Sequence, residues 1–139
     1  MRNTVLSLNE KESRVFFDAI NSEQKCLVNE YDDDTGRRPG KGRMENLPAL
    51  KSVISKWKAF QPKFPKPFNG TYLINLEAVA ACELELSGKE ITACKNVLRT
   101  QIRQLEQALA KYEPPFTGAL ADMHDELETE KDILARLCG

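Results

Sequence analysis

The stretch that decides the fold runs from Leu84 to Tyr112 and reads LELSGKEITACKNVLRTQIRQLEQALAKY. Two alternating leucines lead into Ser87 and Glu90, which have the Ser-x-x-Glu spacing of a helix capping box, so a helix should begin there. The apolar residues that follow lie three or four positions apart: Ile91, Cys94, Leu98, Ile102, Leu105, Leu109 and Tyr112. We therefore predict a short strand followed by an amphipathic helix that buries this stripe.

The same pattern occurs 78 positions earlier in the chain. Residues 5–8 resemble a short strand, and Asn9 and Glu12 form a second capping pair, because asparagine caps helices as well as serine does. The buried face predicted for this helix consists of Phe16, Ile20, Leu27 and Tyr31. At an offset of 80, Leu47, Lys51, Val53, Ile54 and Trp57 correspond to Leu127, Lys131, Ile133, Leu134 and Leu137. We interpret the pattern as a tandem strand-helix-loop-helix repeat. Coincidence among amphipathic helices, which share one period, is the alternative.

The predicted fold is a single domain over residues 1–139, of the α+β class and mainly helical. Repeat unit 1 occupies residues 5–58, a Pro/Lys/Phe connector residues 59–70, and repeat unit 2 with its preceding strand residues 71–139. Two helical hairpins would pack on a small antiparallel sheet; an all-α bundle is the alternative. The helices are expected at residues 10–30, from Glu45 to Trp57, after Ser87 and from Leu120 to Leu137.

The partner of the first strand is expected within residues 71–86, where apolar and polar side chains alternate. This segment is one long strand or two strands interrupted near residues 78–81. A helical turn at residues 77–83 competes with both, because alanine and glutamate favour helix.

Composition indicates an ordinary globular protein, with 41% hydrophobic and 29% charged residues. No apolar run reaches the roughly 20 residues that span a bilayer, and the N-terminus lacks the features of a signal peptide. We expect a cytoplasmic protein without membrane contact. The cysteines have no framework spacing, so Cys26, Cys82 and Cys94 are expected to act as small hydrophobic residues and Cys138 as an exposed thiol.

Residues for catalysis or metal binding are not recognisable in the sequence. His124 is the only histidine, and no serine or cysteine lies near it in sequence, so a solvated surface position is expected. The glycine-rich stretch at residues 36–43 lacks the spacing of a phosphate-binding loop, and the cysteines lack zinc-site spacing. We predict no catalytic residue, no metal and no cofactor, and hence a protein that is not an enzyme.

The strongest functional signal is a basic segment at residues 37–66, in which nine basic side chains accompany one acidic side chain, Glu45. The whole chain has a net charge of -1, so the excess is local. Its candidate binding residues combine cations with aromatic rings: Arg37, Arg38, Lys41, Arg43, Lys56, Trp57, Lys58, Phe60, Lys63 and Lys66.

Two functions are compatible with this segment. The first is a small non-enzymatic regulator or inhibitor that binds another protein; its origin in a phage or mobile element is a guess from base rates. The second is a nucleic-acid-binding accessory protein that neutralises phosphates and stacks bases through residues 37–66. In the structural alternative the aromatic residues cover the core and the loop arginines pair with Asp32, Asp33 and Asp34. A homodimer is compatible with all three.

Overall fold

A computed structural model describes residues 4–32, 35–60, 67–68, 71–72 and 82–138. It is mainly helical with a small antiparallel sheet, so the predicted α+β class is confirmed and the all-α alternative is wrong. The elements in chain order are β1 (Thr4–Leu8), α1 (Glu10–Asn29), α2 (Lys41–Met44), α3 (Leu47–Phe60), β2 (Pro67–Phe68), β3 (Thr71–Tyr72), β4 (Cys82–Leu86), α4 (Gly88–Leu109) and α5 (Ala119–Cys138).

The strands β1 and β4 pair antiparallel, with Leu6 opposite Leu84 and Leu8 opposite Cys82. These four side chains are buried, whereas Val5 on the other face is 59% exposed. One face of the ribbon therefore covers the helices, as the alternation predicted. The strands β2 and β3 form a separate antiparallel pair, with Pro67 opposite Tyr72 and Phe68 opposite Thr71. Residues 73–81 lie outside the described residues, so the prediction of one continuous strand over residues 71–86 is untested.

The helices α1 and α4 both begin at the predicted capping boxes. The Asn9 side chain accepts a hydrogen bond from the Glu12 amide at 2.8 Å, and the Glu12 carboxylate accepts one from the Asn9 amide at 3.0 Å. Ser87 and Glu90 make the same pair of bonds at 3.3 and 3.0 Å. These bonds satisfy amides that have no partner within the helix, which explains why α1 and α4 start where they do.

The apolar stripes meet in one core between the ribbon and the helices. Phe16, Ile20 and Leu27 of α1 are buried, as are Leu98 of α4 and Ile133 of α5. Predicted burial is wrong at two helix ends: Tyr31 and Tyr112 are 52% and 53% exposed. Both lie beyond the last helical residue, α1 ending at a left-handed cap residue and α4 at Leu109, so neither continues its helical stripe.

Lys56 of α3 joins the first unit to the second. Its ammonium donates to the Glu85 carbonyl of β4 and to the Glu90 carboxylate of the α4 capping box, both at 2.7 Å. Glu90 is only 5% exposed. One lysine thus covers a strand-edge carbonyl and neutralises a buried carboxylate of the other unit.

Arg136 of α5 makes the reciprocal contacts from the second unit to the first. Its Nη1 donates to the Ser7 carbonyl of β1 at 3.0 Å, and its Nη2 donates to the Glu12 carboxylate of the α1 capping box. Arg136 follows Lys56 at the repeat offset of 80, and Ser7 and Glu12 precede their counterparts by 78. The equivalent contacts are those expected of two similar units that face each other.

Between α1 and α3 the structure differs from the sequence prediction. The short helix α2 was not predicted, and α3 begins at Leu47 rather than Glu45, with Pro48 in its first turn. Proline is compatible with that turn because its missing amide has no partner there. The helix α2 brings Arg43 beside α1 and α4, where Arg43 lines the candidate binding site.

Candidate anion-binding groove

Two arginines of the predicted basic segment pair with carboxylates of this chain. The Nη2 atom of Arg38 lies 2.9 Å from the Oε1 atom of Glu30. Arg43 donates through Nε and Nη2 to the two carboxylate oxygens of Glu23, at 3.1 and 2.6 Å, and through Nη1 to Asp32. With the Lys56 contact already described, three of the predicted cations are neutralised within the chain, so they are poorly placed to bind an external anion.

Trp57 belongs to the core, and its prediction as an exposed binding residue is wrong. The residue is 8% exposed, and its ring stacks on Phe17 with centroids 3.8 Å apart and planes 11° apart. Its Nε1 donates to the Ser13 hydroxyl at 2.6 Å. A buried indole with a satisfied donor cannot stack on a base or on a partner surface in this conformation.

The other predicted site residues are dispersed or lie outside the described part of the chain. Three are exposed: Arg37, Lys41 and Lys58. Phe60 ends α3, but its side chain is outside the described part, as are Lys63 and Lys66. For these residues a binding role stays a prediction.

Arg43 lines a polar cavity of about 450 Å³, called here the mixed-charge compartment. Its lining residues are Ser22, Glu23, Lys25, Cys26, Asn29, Tyr31, Asp32, Arg43, Thr100, Gln101 and Gln104. The hydrogen bonds that Arg43 donates to Glu23 and Asp32 raise its pKa above the usual range, although burial opposes this. The Cys26 thiol donates to the Tyr31 carbonyl at 3.0 Å, and burial raises its pKa, so it is not activated as a nucleophile.

A second cavity of about 400 Å³ shares Arg43 and Thr100 with the first and lies between α2 and α4; we call it the arginine groove. Its lining residues are Gly42, Arg43, Asn46, Asn96, Arg99, Thr100 and Arg103. Among the residues that the structure describes, no carboxylate lines it, and the one side-chain contact of Arg99 or Arg103 joins Arg99 Nη2 to Cys138 Sγ at 3.9 Å. Within the described residues, therefore, neither guanidinium has a carboxylate partner.

Arg99 and Arg103 supply the effective positive charge of the groove. The charge of Arg43 is offset by Glu23 and Asp32. Arg99 and Arg103 lie four residues apart on α4, so their side chains start from neighbouring positions on the same helix face. Guanidinium forks match carboxylate and phosphate oxygens in paired hydrogen bonds, so the groove is suited to an anion.

Arg99 and Arg103 were not predicted as site residues, because only a local excess of basic residues was taken as a signal for binding. They stand outside residues 37–66, in a helix of mixed charge. A usable signal was present: Lys95, Arg99 and Arg103 recur at every fourth position. Like charges at that spacing destabilise a helix by roughly 0.2–0.5 kcal/mol per pair, and such locally unfavourable choices often mark functional sites.

Other candidate chemistry is limited. His124 is exposed, with its ring 5.4 Å from that of Phe116. Cys82 and Cys94 are buried, as predicted, and burial raises the pKa of Cys94 to about 12. Among the described residues, no group of three or more histidine, cysteine or acidic side chains is placed to hold a metal ion. No described helix combines the length and apolarity that crossing a membrane requires.

No protein-family model, curated protein or solved structure matches this chain. The chemistry of the arginine groove is therefore the basis on which a function can be proposed.

Proposed function

We propose that this chain is a small non-enzymatic regulator or inhibitor that binds another protein, and that the arginine groove holds an acidic segment of that partner. The observation that carries the proposal is the pair Arg99 and Arg103. Both line one cavity, and neither has a carboxylate partner among the described residues. Charged hydrogen bonds contribute about 1.5–3 kcal/mol each and less at exposed positions such as those of Arg99 and Arg103. The two guanidiniums therefore supply the preference for an acidic segment, and flanking contacts supply the rest of the affinity.

The mixed-charge compartment favours a peptide over a nucleic acid. Two acidic and two basic side chains line it: Glu23, Asp32, Lys25 and Arg43. A nucleic-acid strand that left the groove on that side would therefore find no net positive charge for its next phosphates. A peptide can place neutral or basic residues there while its acidic residues contact Arg99 and Arg103. The predicted nucleic-acid surface is also weakened, because Trp57 is buried and Lys56 and Arg43 are paired. Nucleic acid remains the alternative partner through Arg37, Lys41 and Lys58.

Fluorescence anisotropy with a labelled glutamate-rich peptide tests the proposal. We expect the Arg99→Gln, Arg103→Gln double variant to lose at least about tenfold in affinity, since the two guanidiniums together should contribute at least about 1.4 kcal/mol. The matched control is Lys51→Gln, Lys89→Gln, which removes the same charge from exposed positions of α3 and of the first turn of α4. Equal losses in both variants would show that net charge, and not the groove, attracts the peptide.

Single- and double-stranded oligonucleotides serve as competitors in the same assay. We expect them to displace the peptide weakly and to lose that ability as salt rises from about 50 to about 300 mM, since phosphate binding depends steeply on salt. Tight oligonucleotide binding that Arg99→Gln, Arg103→Gln abolishes would favour the nucleic-acid function instead. The proposal assigns the protein to the cytoplasm and requires no cofactor. Light scattering at the working concentration would show whether the binding form is a homodimer.

A further inference from the structure

The arginine groove contains more donors and more charge than one carboxylate can use. Arg99 and Arg103 each carry five N–H donors, and the amides of Asn46 and Asn96 line the same cavity. The Thr100 hydroxyl is excluded from this set because it donates to the Asn96 carbonyl at 3.1 Å. The Arg43 guanidinium is also excluded, since three of its five donors bond to Glu23 and Asp32, whose charges offset its own. Two guanidiniums and two amides therefore remain for a ligand.

The spacing of the arginines allows both to reach one small group, with Arg99 Nη2 turning from its contact 3.9 Å from Cys138 Sγ. Cβ atoms four residues apart on a helix face are about 5–6 Å from each other, and each guanidinium can extend several ångströms beyond. A carboxylate carries a charge of -1 on two oxygens and is satisfied by one bidentate arginine. A phosphoryl group carries about -1.5 to -2 on three oxygens, which matches two guanidiniums and leaves an oxygen for an amide.

We propose that the arginine groove binds a phosphorylated serine, threonine or tyrosine side chain of the partner protein, so that phosphorylation of the partner controls the interaction. This inference rests on the proposed function and specifies its ligand. The mixed-charge compartment adjoins the groove through Arg43 and Thr100 and gives the flanking peptide a place to lie. The Asn29 and Gln101 side chains of that compartment can bond to an extended peptide backbone.

Three short fluorescent peptides of identical sequence test this inference, with serine, glutamate or phosphoserine at the central position. We expect phosphoserine to bind at least about tenfold more tightly than glutamate and serine to bind weakest. The double variant Arg99→Gln, Arg103→Gln should remove the preference for phosphoserine. The double variant Arg99→Lys, Arg103→Lys should keep some binding and lose most of the preference, because lysine retains the charge without the paired donors.

The control Lys51→Gln, Lys89→Gln should leave the preference unchanged, and circular dichroism of every variant establishes that the fold is intact. If glutamate and phosphoserine peptides bind equally and the arginine variants weaken both, the phosphate preference is refuted while the proposed function stands. If no peptide binds, both fail.

Inorganic phosphate and a nucleoside monophosphate distinguish the source of the phosphoryl group. We expect each to displace the phosphoserine peptide only at concentrations at least about a hundredfold above the dissociation constant of the peptide, since neither makes the flanking contacts. Displacement by either at concentrations similar to the peptide's dissociation constant would refute the peptide-borne ligand and assign the groove to a small phosphorylated molecule.

Discussion

Glu130 offers the sharpest test of the structure, because a fully buried carboxyl group should make folding depend on pH. Glu130 is 0% exposed, and neither of its carboxyl oxygens has a hydrogen-bond partner among the described residues. Burial, with a smaller contribution from the nearby Glu126 carboxylate, raises its pKa from 4.5 to about 8. At the repeat offset of 80 its counterpart is Leu50, which is also 0% exposed. We predict that Glu130→Leu stabilises the protein.

The magnitude and sign follow from the two pKa values. Below pH 4.5 the carboxyl is protonated in both states and has no effect on stability through titration. Between pH 4.5 and 8 the unfolded state loses a proton that the folded state retains, so stability falls by about 1.4 kcal/mol per pH unit. The cost of keeping Glu130 protonated is then about 3 kcal/mol at pH 7 and approaches about 5 kcal/mol above pH 8.

Urea unfolding of wild type and Glu130→Leu at about pH 5.5, 7 and 8.5 measures this cost. The difference in unfolding free energy between the two proteins should widen by about 3 kcal/mol across that range. Glu130→Gln should also remove the pH dependence, but its stability gain should be smaller because a buried amide needs partners. The matched control is Glu128→Leu, since the Glu128 side chain is 57% exposed. A difference that stays constant with pH would refute a buried, protonated Glu130.

Four further substitutions test the contacts of Lys56 and Arg136 and the packing of Trp57 in the core. Lys56→Ala should destabilise the protein by about 3–5 kcal/mol in urea unfolding, because it strands the buried Glu90 carboxylate. Arg136→Ala should cost less, since the carboxylate it contacts is more exposed; an equal or larger loss would contradict this ranking. Trp57→Ala should cost about 3–5 kcal/mol and leave peptide binding per folded molecule unchanged, whereas Ser13→Ala should lose about 1–3 kcal/mol by removing the indole's acceptor. Reduced peptide affinity of the folded Trp57→Ala variant would show instead that the tryptophan contributes to the binding surface.

The sequence predicted the local elements well, because their determinants are local. The capping pairs Asn9 with Glu12 and Ser87 with Glu90 set where α1 and α4 begin, as each bond joins residues three positions apart. The alternation in β4 set which of its residues face the core. The errors in predicted burial fell at the C-terminal ends of the apolar stripes. Tyr112, for example, lies beyond Leu109, the last residue of α4, and is therefore not held on the helical face.

The candidate site was predicted less well, because charge pairing depends on residues far apart in the chain. Composition gave the basic segment but could not show that Arg43 is neutralised by Glu23, 20 positions away, or that Lys56 is held by Glu90, 34 positions away. Burial of Trp57 likewise depends on Ser13 and Phe17 of another helix. The basic residues of the segment were predicted correctly, but several of them are paired within the chain, so they do not form one binding surface.

The sequence by itself determined where α1 and α4 start, which residues of the preceding strands alternate between core and surface, and that one segment is strongly basic. These properties follow from side chains within a few positions of one another. Only the tertiary structure decided which cations lack an acidic partner. Packing of α2 against α1 and α4 pairs Arg43 with Glu23 and Asp32, while Arg99 and Arg103 line an adjoining groove without a carboxylate. A guanidinium is available for a ligand only when folding brings no carboxylate to it, and that depends on distance in space.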